Sequence, residues 1–71
     1  MANQNIKKSF RYGFLLDPRP DDDATDDIHE AEDKARQLSV DNSGHPVAVW
    51  DQMDNTIRLY AGYEEFVKVP L

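Results

Sequence analysis

The sequence predicts an α+β domain in which a small single-layer β-sheet carries one amphipathic helix on one face, in the order β-α-β-β with an optional short fourth strand. Three observations predict it. Aromatic residues alternate with polar ones over residues 7–16, apolar residues recur at four- and three-residue spacing over 24–38, and two short aliphatic segments flank a polar turn near residue 53.

In the first strand Phe10, Tyr12, Phe14 and Leu16 share one face, and Ser9, Arg11 and Gly13 the other. Leu15 breaks the alternation, which suggests cover on both faces at the far end. Asp17-Pro18-Arg19-Pro20 ends the strand, because proline lacks a backbone donor and biases the preceding residue toward extended conformations. The helix follows, with Asp23 or Thr25 offered as its N-cap. Ala24, Ile28, Ala31, Ala35 and Leu38 form its apolar stripe, and Glu30–Lys34 and Glu32–Arg36 stand at the favourable i,i+4 spacing. Asn42 or Gly44 suits a left-handed cap at its end.

Residues 46–51 read as the second strand, with Val47 and Val49 on one face and Ala48 and Trp50 on the other. Residues 56–61 read as the third, with Ile57 and Leu59 opposite Arg58 and Tyr60. The two form a hairpin, and residues 66–69 supply the optional fourth strand. If the first two strands are parallel neighbours, their crossover is right-handed. The expected core is Phe10, Tyr12, Phe14, Ile28, Ala31, Ala35, Leu38, Val47, Val49, Ile57 and Leu59. At 71 residues the chain is expected to be a single domain, with residues 1–6 as a disordered tail.

Composition narrows the function. There is no cysteine, so disulfides and thiolate chemistry are excluded. No apolar run resembles a signal-peptide core or approaches the ~20 residues of a membrane span. A cytoplasmic protein that does not engage membranes is expected. A net charge of −6 opposes direct nucleic-acid binding, which depends on neutralising phosphates, and admits a basic protein partner.

The search for chemistry finds little. His29 lies on the polar side of the helix and His45 in a Gly-His-Pro turn, and neither belongs to a nucleophile–base constellation. The consecutive Asp21, Asp22 and Asp23 lack the alternate spacing and central glycine of a calcium loop. Asp51, Asp54 and Asn55 are accounted for by turn chemistry. Gly13, Gly44 and Gly62 are isolated, so no phosphate-cradling loop is formed. The expectation is a non-enzyme without metal or cofactor.

Two surfaces remain as interaction candidates. One is the acidic stretch 21–33, with eight carboxylates, represented by Asp22, Asp26 and Glu30; its bland reading is a solvated helix start. The other is a sheet face carrying Trp50, Arg58 and Tyr60 beside Ala48, joined by Arg11, expected to point away from the helix. Its bland reading is a cross-strand cluster that shields the sheet. These features lead to the expectation of a small acidic protein-interaction module that regulates or inhibits a protein partner, with self-association through a sheet face or edge as a further expectation. The alternative is an inhibitor of the phage type, whose carboxylates imitate nucleic-acid phosphates and occupy a basic groove.

Overall fold

A computed structural model describes residues 8–71. The tail expected over residues 1–6 lies outside the described residues. Within them the chain runs β1 (Phe10–Phe14), β2 (Ala24–Thr25), α1 (Ile28–Asp41), β3 (Val47–Trp50), β4 (Thr56–Ala61) and β5 (Glu64–Lys68). The five strands form one antiparallel sheet in the order β2-β1-β3-β4-β5, and α1 packs on it. The class is α+β, as the sequence implies. The sheet has more strands than the β-α-β-β reading allows, and its first two long strands, β1 and β3, are antiparallel rather than parallel.

The extra strand comes from a segment assigned above to the helix. Ala24 sits four residues before Ile28 and so extends the apolar stripe on paper. In the fold, Ala24 and Thr25 pair with Arg11 and Phe10 along the outer edge of β1. The helix begins only after Asp27, whose side chain accepts hydrogen bonds from the backbone of His29 (2.9 Å) and Glu30 (3.4 Å). Thr25 assists from outside the helix: its hydroxyl accepts from the Asp27 N–H and donates to Glu30 Oε1. Asn42 is the C-cap, and Ser43 and Gly44 take the left-handed conformation in the turn that follows.

The helix buries Ala31 and Ala35 against Tyr12, Val47, Val49, Ile57 and Tyr60, with Phe10, Phe14, Ile28 and Leu38 packed around them. The two alanines let helix and sheet approach closely. Ser39, fully buried, ties the end of the helix down: its hydroxyl donates to the His45 carbonyl and accepts from the Gly62 N–H, each at 2.7 Å. Leu16, expected on the inner face of the first strand, lies beyond β1 and is exposed.

Two irregularities shape the last three strands. Val49 pairs with Arg58 but Trp50 pairs with Thr56, so Ile57 is an additional residue in β4. A second shift, between Leu59 and Tyr60, leaves Phe66 as the additional residue in β5. Of the two sheet edges, β2 is only two residues long, whereas β5 is five.

Candidate functional site

The bulge at Ile57 overturns the expected face for Arg58 and Tyr60. Cross-strand partners share a face. Arg58 is opposite Val49, and Tyr60 is opposite Val47, so both point to the helix side. Ile57 stays in the core, while Leu59, counted as core above, pairs with Ala48 on the other face and is half-buried. A regular ladder would have kept the alternation predicted from sequence; one inserted residue inverts it for the rest of the strand.

Arg58 is 5% exposed and fully engaged. Its Nε donates to Glu32 Oε2 of the helix at 2.8 Å, and its Nη1 donates to the carbonyls of Ile57 and Val69. The guanidinium thus joins α1, β4 and the chain after β5. Its hydrogen bond and positive charge hold the Glu32 carboxyl below the ordinary glutamate range, against the opposing effect of burial. Tyr60 is fully buried beneath Arg36, whose guanidinium lies 4.7 Å from the ring centroid. Burial, with the Glu65 carboxylate nearby, pushes the Tyr60 phenol above the ordinary tyrosine value, and its hydroxyl makes no hydrogen bond of good geometry among the described residues.

Trp50 does lie on the face away from the helix, with Arg11 opposite it in the register. That face is nevertheless covered. Trp50 is 6% exposed, with the Arg11 guanidinium 4.8 Å from the ring centroid and Asp54 holding Arg11 from the hairpin turn at 3.2 Å. The chain between β1 and β2 folds back over the sheet, since a methyl group placed at Gly13 would collide with the Asp22 carboxylate. Gly13 and its cross-strand partner Ala48 are both buried. Trp50 therefore lies on one face and Arg58 and Tyr60 on the other, and none presents an open surface.

The acidic stretch is mostly occupied by local structure. Of its eight carboxylates, six have partners. Asp22 accepts from the Arg19 N–H, Asp26 from the Ser9 N–H with Lys8 nearby, Asp27 caps the helix, Glu30 accepts from Thr25, Glu32 holds Arg58, and Asp33 pairs with Arg36. The bond from Ser9 holds the Asp26 carboxyl below its usual range. Asp21 and Asp23 have no side-chain hydrogen bond or ion pair among the described residues. In place of the helix pairs expected at i,i+4, Glu30–Lys34 and Glu32–Arg36, Glu30 bonds to Thr25, Glu32 to Arg58, and Arg36 pairs with Asp33. Asp51 likewise spends its carboxylate on Met53, Asn55 and the turn they make.

Two surfaces that the sequence reading did not single out remain open. Tyr63, Phe66, Val69 and Leu71 are 79%, 61%, 43% and 70% exposed, on and around β5, the edge strand of the sheet among the described residues. A groove of about 440 Å³ runs between the segment after β1 and the end of α1; Phe14, Leu16, Pro46, Asp17, Asp41 and His45 contribute to its lining. Among the described residues no cluster of His, Asp or Glu is placed to hold a metal ion, and no helix is long and apolar enough to cross a membrane. No family model, curated protein or solved structure matches the chain.

Proposed function

We propose that this domain is a small acidic, non-catalytic protein-interaction module, and that its working surface is the C-terminal edge of the sheet. The observation that carries this reading is the exposure of Tyr63, Phe66, Val69 and Leu71 within nine residues of chain at an open strand edge. Single exposed apolar side chains are ordinary, but several together on an unpaired edge are what strand-adding and aromatic-anchored contacts use. Edges not meant for contact are usually short, like β2, or covered. The bulge at Phe66 restricts how a strand can add there, so side-chain anchoring by Tyr63 and Phe66 carries more of the contact than a long ladder would. In this reading Trp50, Arg58 and Tyr60 are framework rather than interface.

The test is a Tyr63→Ser, Phe66→Ser double variant. Both side chains are exposed, so circular dichroism is expected to show an unchanged fold. Light scattering and affinity capture then compare wild type with variant. The expected result is loss of association by at least about tenfold, the equivalent of roughly 1.4 kcal/mol. Unchanged association in the folded variant would remove this edge as the working surface.

A further inference from the structure

The groove at the C-terminal end of α1 has a chemistry of its own. Phe14, Leu16 and Pro46 give it an apolar lining, and Leu16 stands 80% exposed there with nothing from the described chain laid over it. Two carboxylates, Asp17 and Asp41, line the same groove. Each is only half used. Arg19 holds Oδ2 of Asp17, and Gln37 holds Oδ1 of Asp41, leaving the second oxygen of each without a hydrogen bond among the described residues. His45 also lines the groove. Its Nδ1 lies 2.6 Å from the Asn42 carbonyl, which can only accept, so Nδ1 donates there and Nε2 is the ring nitrogen left over.

The helix end makes the groove more negative still. Carbonyl dipoles accumulate there, and the usual response is a Lys, Arg or His in the last turn. Here the last turn has no basic residue and ends on Asp41, so its charge adds to the dipole instead of offsetting it. An apolar lining with negative charge that this chain offsets at Asp17 but not at Asp41 is complementary to one kind of group: a cation on an aliphatic stem.

We propose that this groove binds an arginine or lysine side chain of a basic partner protein, its stem against Phe14, Leu16 and Pro46 and its charge against Asp17 and Asp41. This goes beyond the edge reading: it assigns a second surface, lined by other residues, and names the chemistry it takes. Arginine is the better fit, because its planar fork can engage two carboxylates at once. Arg19, from this chain, already shows that Asp17 accepts a guanidinium at 2.8 Å.

The experiment titrates n-butylguanidinium, a bare arginine side chain, into the 15N-labelled protein, with n-butylurea as its neutral counterpart. Saturable shift changes are expected at the amides of Leu16 and of residues 41–45. Affinity in the millimolar range is expected for so small a ligand. It should fall about tenfold for n-butylurea and about tenfold in an Asp17→Asn, Asp41→Asn variant, one factor of ten for each equivalent of about 1.4 kcal/mol. Should that variant unfold, the comparison of the two ligands on the wild-type chain decides alone. Equal response to both ligands, no saturable response, or shifts centred on residues 21–33 would overturn the proposal. The interaction reading itself fails only if the edge variant above keeps its partner, so the two failures are distinguishable.

Discussion

Each face of the sheet carries an arginine in contact with an acid, and the two arrangements differ in what surrounds them. On the helix side Arg58 and its partner Glu32 have side chains 6% and 16% exposed; on the other side Arg11 and Asp54 are 32% and 72% exposed. The first pair is enclosed, and its donors also satisfy two backbone carbonyls. The second is an ion pair open to water, and its larger contribution is the lid it puts over Trp50. The difference teaches that on the helix face an enclosed polar pair is added to a large apolar contact, whereas on the opposite face the ion pair is solvated and serves mainly to cover Trp50.

The largest expected effect tests whether the second face is truly closed. Trp50→Ala should cost about 3–5 kcal/mol, the range for removing a large buried aromatic side chain. A loss below about 1 kcal/mol in urea denaturation would mean that Trp50 is exposed in solution and that the cover over it is loose. The next effect belongs to the helix face. Arg58→Met should cost about 3 kcal/mol, because it leaves the largely buried Glu32 without its closest cation and frees the Val69 carbonyl. Acid titration supplies its signature. Glu32 has a folded-state pKa lowered from its ordinary 4.5, so its contribution is complete above about pH 4.5 and is lost as pH falls through the lowered value. Asp26 and Asp51 are lowered as well and titrate in the same acid region, so both proteins weaken on acidification. Arg58→Met should do so less steeply, and an identical slope would show that the pair does not set the Glu32 pKa. The smallest effect is Arg11→Met, expected near 0.5–1 kcal/mol because the ion pair is solvated and the methionine keeps part of the lid over Trp50. A cost equal to that of Arg58→Met would erase the distinction between the faces.

Much of this architecture is readable from period alone. The alternation of Phe10, Tyr12 and Phe14, the Val47–Val49 pair, the helix stripe from Ile28 to Leu38, and Ile57 place ten of the eleven expected core residues at the helix–sheet contact. What escaped has physical causes. β2 is two residues long and has no period of its own, and Ala24 happens to fall in phase with the helix that follows. The bulge at Ile57 leaves no trace in a segment that alternates smoothly; it shows only in the fold, where it turns Arg58 toward Glu32 of the helix. Arg11 and Ala48 do share the face of Trp50, as the alternation implies, yet the cover beside Ala48 comes from a loop that returns at Asp22 over Gly13. The open edge at β5 follows from strand order, which local pattern does not encode. The groove is likewise assembled from segments near residues 16 and 43, which no short motif joins.

Ser39 carries one more consequence. The backbone N–H of Gly62 belongs to the β4–β5 turn, but its acceptor is a side-chain hydroxyl on the helix. Its hydrogen-exchange rate therefore reports whether the helix is docked rather than whether the hairpin is paired. Slow exchange at Gly62, compared with amides inside the β4–β5 ladder, gives a single-site clock for the opening of helix from sheet. In Ser39→Ala that clock should run fast while the neighbouring ladder amides keep their protection, separating the motion of the helix from that of the edge it helps to hold.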